Sequence, residues 1–187
     1  MGIQINGIKT ILEEVTVDDA SDICRLRNNA QINKYLSTSR EVTVAEQEAW
    51  IKANLTKNDG FYFKVIDKEQ NEFCGTASLY GIVGKQVEFG RYICTRALQA
   101  IEAEYLGIEY AFKQMGMHKV YCRTAVENKK VWKQHYSYGF VDEGEEKLAS
   151  GDKDLVLKIQ ALTREQFEQT DYSFIQKLIQ RFQLSRS

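Results

Sequence analysis

Two polar residues in the segment HKVYCRTAVENKKVWKQHYSYGF, His118 to Phe140, have the spacing of a shared site. Asn128 and His135 are seven residues apart. That is two helical turns, so on a helix their side chains project from one face. Upstream, Val120, Cys122 and Thr124 alternate as a buried strand, and Gly139-Phe140 opens another. A strand feeding directly into such a helix puts the helix N-terminus, with its free N–H groups, at the mouth of a sheet. A polar ligand can be held there. Asparagine is also a preferred N-cap, so Asn128 has a structural role compatible with binding. His135, with an ordinary pKa of ~6.5, can give or take a proton near neutrality or lie idle on the helix surface. Tyr136 and Tyr138 are neighbouring hydroxyls that read as packing residues first and as alternatives to His135 second.

A second candidate is Glu88 in VEFGRYI. Strand alternation puts Glu88, Gly90 and Tyr92 on one face, opposite Phe89 and Ile93. A carboxylate in a core strand costs several kcal/mol unless paired or protonated, so Glu88 calls for a partner or a function unless it sits near solvent at the strand's start. Cys94 and Cys122 are poor nucleophile candidates, since neither has a sequence-adjacent base. The four cysteines are dispersed without a C-x-x-C, and with two histidines in the chain they give a metal site little support, so no metal is expected.

The elements that must position these residues follow from pattern. Ile8 to Val15 reads as a strand, and Thr16 to Asp19 has capping-box spacing before a helix running to about Asn29. Thr43 and Glu46 repeat the device ahead of a helix carrying Trp50, Ile51 and Leu55, stopped at Asn58-Asp59-Gly60. Phe61 to Val65 and Phe73 to Ile82 form a hairpin across a polar turn, and Val87, Phe89 and Ile93 mark the next strand. Leu98, Ile101, Tyr105, Ile108, Phe112 and Met115 make one apolar helical stripe, closed by Gly116. After the opening segment, Asp154 to Ile159 is a last strand. Thr163 with Gln166 then starts a helix, and Phe174 to Phe182 forms an amphipathic one. With no proline in the chain, glycine and asparagine must make the turns.

The 187 residues suit one filled core, and a net charge of −1 gives no broad attraction to nucleic acid or an anionic membrane. No apolar run approaches the ~18 residues of a membrane span, and no signal-peptide pattern opens the chain, so a cytoplasmic protein is expected.

The order is strand, two helices, three antiparallel strands, helix, strand, helix, strand, strand. It resembles the GCN5-related N-acetyltransferase (GNAT) family, in the branch acting on ribosomal N-termini, small amines and nucleotide-linked amino sugars. Carrying the resemblance are Arg27-Asn28, IDKEQNEFCGTASLYGI, VEFGRYI, YAFKQMGMHKVYCRT and ENKKVWKQHYSYGF, in the family's order from about Leu12 to Ile159. It implies an α+β fold: a mixed, mostly antiparallel, seven-stranded splayed sheet with helices on both faces. Residues 1–162 would be the acetyltransferase domain. Residues 163–187 would be a helical extension packed on that domain or pairing two chains as a homodimer.

The resemblance further implies acetyl-CoA as co-substrate. Its pantetheine would lie along Tyr92, Ile93 and Cys94, where one N–H would hold the thioester oxyanion, with Asn128 and Trp132 as the far wall. Arg96, Ala97, Leu98, Gln99 and Ala100 occupy the pyrophosphate loop, but lack the glycines the family has there, so Arg96 and the helix dipole would carry the phosphates. Glu88 would act as base, commonly through water, with partial burial raising its pKa. His135, at the position of a family tyrosine, would protonate the leaving thiolate, with Tyr136 as alternative. Arg27, Asn28 and Tyr80 would form the acceptor side, Arg27 either holding a substrate phosphate or making a surface salt bridge. The expected activity is acetyl transfer to a nucleotide-linked amino sugar of surface-glycan synthesis. A protein N-terminus or small amine is the next acceptor. The glycine-free loop also leaves room for an inactive binding or assembly module.

Overall fold

A computed structural model describes residues 2–36, 40–57, 59–150 and 153–184. Asn58 of the expected helix stop and the Phe182 side chain lie outside what is described. The chain opens with β1 (Gln4–Asn6) and β2 (Thr10–Glu14), followed by a 3-10 turn at Val17–Asp19 and helices α1 (Ala20–Arg27) and α2 (Ala30–Asn33). Helix α3 (Val44–Leu55) starts at a formed capping box, in which the Thr43 hydroxyl accepts from the Glu46 N–H and the Glu46 carboxylate from the Thr43 N–H. Then come β3 (Gly60–Asp67), β4 (Glu72–Val83), β5 (Gln86–Cys94), α4 (Ala97–Lys113), β6 (Lys119–Ala125) and α5 (Lys129–Tyr136). The chain closes with β7 (Val141–Ser150), β8 (Lys153–Thr163), α6 (Arg164–Gln169) and α7 (Ser173–Leu184).

All the described strands join one sheet in the order β1-β2-β3-β4-β5-β6-β8-β7. Its eight strands exceed the expected seven because β1, too short to show alternation, pairs with β2 through Gln4↔Glu13. Every neighbouring pair is antiparallel except β5 and β6, which α4 connects as a parallel crossover.

Apolar burial divides between the two faces. On one, Leu12, Phe63, Val65, Leu79 and Phe89 pack with Ile108 and Phe112 of α4. On the other, Val15, Ala20, Ile23, Ile51 and Tyr62 form a smaller core under α1 and α3. Each fully buried Leu, Ile or Phe contributes about 1.5–3 kcal/mol. Gly107 lets α4 approach β5, since a Cβ there would sit 2.7 Å from the Phe89 ring. Helix α7 adds Ile175 and Ile179 to the larger core, and the Tyr172 hydroxyl donates to the Tyr138 carbonyl at 2.8 Å. Phe174 stays exposed.

Candidate active site

The two central strands separate partway along. Strands β5 and β6 pair only at Gln86↔Lys119, Val87↔Val120 and Glu88↔Tyr121. Past Glu88, β6 stays with β8 and β5 stays with β4, so the β5 edge from Phe89 to Cys94 has no β6 ladder. A bulge lies on this free edge. Register passes from Ser78↔Gly90 to Thr76↔Ile93, and Arg91 takes φ 47°. The Thr76 hydroxyl holds the Arg91 carbonyl at 3.0 Å.

The extra residue overturns the expected alternation. Tyr92 turns to the Phe89 side, its ring centroid 5.3 Å away and its hydroxyl donating to the Ala100 carbonyl at 2.6 Å. Ile93 moves to the face of Glu88 and Gly90.

The fork opens into a cavity of about 390 Å³, lined by β5 from Phe89 to Cys94, Arg123 to Ala125 of β6, and Asn128, Val131, Gln134 and His135. Gln31, Ile32, Tyr35 and Leu36, in and after α2, close the opposite side. Asn128 stands at the N-cap of α5 and lines the cavity, and its side chain makes no capping hydrogen bond among the described residues.

His135 is buried and its surroundings are polar. One ring nitrogen, Nδ1, lies 2.8 Å from Gln160 Oε1, and the other, Nε2, lies 3.5 Å from Glu104 Oε1. Burial pulls the imidazole down to about 4, the Gln160 contact opposing it only in part. Glu104 of α4 is 0% exposed, and burial pushes its carboxyl up to about 8 against a Gln134 Nε2–H donated to Oε2 at 2.6 Å.

Glu88, 3% exposed, sits on the last shared rung of β5 and β6. The Tyr80 hydroxyl donates to its Oε1 at 2.6 Å, and Arg123 donates to Oε2 through Nε at 3.0 Å and Nη2 at 2.7 Å. Burial, then the Glu88 charge, raises the Tyr80 phenol. Arg91 stacks over Tyr80 at 3.9 Å and Trp50 at 5.0 Å, while Nη1 donates to Asn54 at 3.0 Å. Arg91, Arg123 and Lys130 all line the cavity, and among the described residues no Asp or Glu does.

The structure brings Tyr92, Ile93, Cys94, Ala100, Asn128 and His135 to this cavity, and Glu88 and Tyr80 directly behind its Arg123 wall. Other expected residues stand elsewhere. The Tyr136 hydroxyl is turned outward to Asp142, 2.9 Å away. Trp132 donates its Nε1–H to the Val126 carbonyl at 2.9 Å, and the Tyr138 hydroxyl donates to the Ile101 carbonyl at 2.8 Å. Asn28 exchanges hydrogen bonds with the Val42 backbone at 2.8 and 2.9 Å, tying the end of α1 to the segment before α3. Arg27 is half-buried and not part of the cavity wall.

Arg96, Ala97, Leu98 and Gln99 form the start of α4 outside the cavity. Arg96 is paired with Asp67 and Glu72, and Gln99 Nε2 donates to Asp67 at 2.9 Å. Burial disfavours the Asp67 charge, but bonds from Arg96 and the Gln70 and Glu69 N–H groups outweigh it and hold the carboxyl below its usual range. The residues that sequence reasoning missed are Arg91, Arg123, Lys130, the Gln31–Leu36 wall and Glu104. Glu104, three after Ile101 and four before Ile108, borders the apolar stripe of α4, and a carboxylate at that edge was the signal that could have found it.

A forked sheet with a bulged free strand, a helix starting just after it and a second helix walling the fork defines an acyl-transfer cleft. Residues 9–141 match the family described as acetyltransferase (GNAT) domain, and the chain belongs to that acetyl-CoA-dependent N-acetyltransferase family. No curated protein sequence matches the chain. Among solved structures, a GCN5-related N-acetyltransferase from Brucella melitensis has TM-score 0.78 and 19% identity over 97% of this chain and 85% of its own. Spermidine N-acetyltransferase from Vibrio cholerae, solved with CoA and spermine, has TM-score 0.75 and 24% identity over 87% and 99%. FdhC, described as a nucleotide-linked sugar GNAT, has TM-score 0.70 and 23% identity over 90% and 94%. At these identities the likeness is one of fold.

The donor set fits the family's co-substrate. An extended amide-bearing arm can pair with backbone groups along Phe89–Cys94, and the first turn of α4 offers N–H groups to a diphosphate. What the loop lacks is a free cation, because Arg96 is already paired.

Proposed function

We propose that this acetyltransferase acts in the cytoplasm on an amine that carries negative charge, of the nucleotide-linked amino-sugar class. The observation that carries this reading is the cavity wall itself, with Arg91, Arg123 and Lys130 and no acidic side chain among the described residues. Such a wall attracts a diphosphate and repels a polycation. Arginine forks also match phosphate oxygens bidentately. The fold likeness to FdhC is compatible with this acceptor. The likeness to the spermidine enzyme does not bring its substrate here, because a polyamine would meet Arg91, Lys130 and the Glu88-paired Arg123 in this cavity and no carboxylate among its described lining residues.

Acetyl-CoA, when bound, supplies the activated thioester. Asn128 and the β5 edge would hold its pantetheine arm, an N–H near Ile93 or Cys94 would stabilise the oxyanion, and His135 would protonate the departing thiolate. Glu88 would orient Arg123 through Oε2. A lone pair left beside the Tyr80 bond on Oε1 would accept the amine's proton through a bridging water.

The test is thiol release from acetyl-CoA with a panel of nucleotide-linked amino sugars, spermidine, and peptides with free N-termini. Turnover confined to the anionic amines supports the reading. Preference for spermidine overturns it. The paired state of Arg96 favours one second reading, a family member that no longer binds CoA. Acetyl-CoA at 100 times its Kd adds ~2.7 kcal/mol of stability. Absence of any thermal shift at millimolar acetyl-CoA would select that second reading.

A further inference from the structure

Cys74 and Cys94 stand on neighbouring strands, and each owes its position to a bulge. In β4 the register passes from Val65↔Gly75 to Ile66↔Phe73, so Cys74 is the extra residue and turns with Ala77 to the larger core. In β5 the Arg91 bulge turns Cys94 to that same face. Gly75, paired opposite Cys94, has no side chain to hold the strands apart, and a Cβ there would lie 2.2 Å from the Ile93 carbonyl oxygen. The result is two free thiols with their sulfurs 3.9 Å apart. Their other contacts are weak, Cys74 donating to the Val65 carbonyl and Cys94 to the Arg96 carbonyl, both at 3.4 Å.

The two thiols differ in access and in character. Cys94 lines the cavity, whereas Cys74 is 2% exposed. When Cys94 ionises, the Cys74 S–H can turn to its thiolate. That bond, with the backbone and charge of Arg96 and the Thr95 N–H at the start of α4, outweighs burial and holds the Cys94 thiol below its ordinary range. The same bond and burial push the Cys74 thiol up. Cys94 therefore has the character of an attacking thiolate within reach of the cleft, and Cys74 that of a protonated partner behind it.

We propose that Cys94 and Cys74 form a redox modification site, in which a hydroperoxide entering the cleft oxidises Cys94 and Cys74 then closes a disulfide onto it. The Cys94 thiolate attacks one peroxide oxygen, so a sulfur–oxygen bond forms and the oxygen–oxygen bond breaks. The leaving oxygen takes up the proton Cys94 gave, departing as water or an alcohol. The Cys74 sulfur then attacks the sulfenic sulfur, and the expelled hydroxide leaves as water with the Cys74 proton. The two thiols lose two electrons in all, and the peroxide gains them. A disulfide holds its sulfurs about 2.0 Å apart, so the bond draws Cys94, the last residue of the free β5 edge, towards β4. Its effect on turnover rests on the reading of that edge as the holder of the pantetheine arm and the oxyanion. In a reducing compartment such a bond is transient and regulatory.

Peptide mapping and turnover of the intact enzyme after hydrogen peroxide, with and without dithiothreitol, test this. One disulfide joining Cys74 to Cys94 is expected, with Cys24 and Cys122 left as thiols, and dithiothreitol should reopen it. Turnover is expected to fall about 100-fold in step with the bond, as displacement of an oxyanion donor predicts, and to return on reduction. Cys74→Ser has no resolving thiol, so peroxide should leave a sulfenic acid at Cys94 that dimedone traps. Absence of the Cys74–Cys94 bond from oxidised wild type overturns the proposal whether or not the variant folds. A bond that forms while turnover stays unchanged supports the modification site and overturns the reading of the β5 edge.

Discussion

Glu88 and Glu104 are the same residue type, each almost fully buried, on opposite sides of one forked sheet. Around Glu88 the chain places a guanidinium and a phenol, making an ion pair at the root of the fork. Around Glu104 it places an amide and a neutral imidazole, so burial is not offset and the carboxyl keeps its proton to about pH 8. Burial therefore does not decide the state of a carboxyl. The charge of its nearest partner does. The ion pair fixes an arginine at the cavity wall, and the protonated acid keeps a proton next to the cleft.

Removing the cation should expose the difference most strongly. Arg123→Ala leaves Glu88 buried without its counter-charge and is expected to lower unfolding free energy by about 3–5 kcal/mol in denaturant titration. A loss below about 1 kcal/mol would mean that Glu88 does not depend on that pair.

The Glu104 side should respond to pH instead. Its folded pKa is raised from 4.5 to about 8, so its contribution is fully present at low pH and is lost as pH rises to about 8. His135, lowered from 6.5 to about 4, has the opposite sign, losing stability as pH falls through that range. The two largely cancel below about pH 6.5. Between there and pH 8, wild type should lose about 2 kcal/mol relative to Glu104→Gln. Parallel stability curves for the two proteins would contradict the raised pKa.

Asp67 offers a third case, a buried carboxylate that keeps its charge through Arg96 and two backbone N–H groups. Arg96→Ala should cost about 1–2 kcal/mol, with the remaining Asp67 contribution lost as pH falls through its lowered pKa. Because Arg96 is already paired, the same change should weaken acetyl-CoA binding, read by calorimetry, only a few-fold. The smallest effect is expected at Tyr136, whose partner Asp142 lies at the surface. Tyr136→Phe should stay within about 0.5 kcal/mol in stability and leave kcat unchanged.

Much of this organisation could be read from the chain, and the exceptions share a cause. The capping boxes at Thr43 and Thr163, the hairpin and the α4 stripe are local, so spacing revealed them. Asn128 and His135 reach the cavity as their two-turn spacing implied. What escaped depends on partners far along the sequence. The Arg91 bulge exists only in register with β4, and it exchanges the faces expected of Tyr92 and Ile93. Glu104 flanks the apolar stripe of α4, three after Ile101 and four before Ile108, and its burial is completed by α5 and β8 residues far along the sequence. Arg123 gains meaning only across the fork from Glu88. Arg27-Asn28, read as an acceptor site, instead ends α1, with Asn28 anchoring Val42.

The account turns on the cations in the cleft, and the most direct measurement is kcat/KM for a nucleotide-linked amino sugar and for spermidine in one thiol-release assay across ionic strength. The anionic amine should be favoured at least about tenfold, or about 1.4 kcal/mol in transition-state binding, with the preference shrinking as salt screens Arg91, Arg123 and Lys130. Equal or better use of spermidine, unaffected by salt, would contradict it.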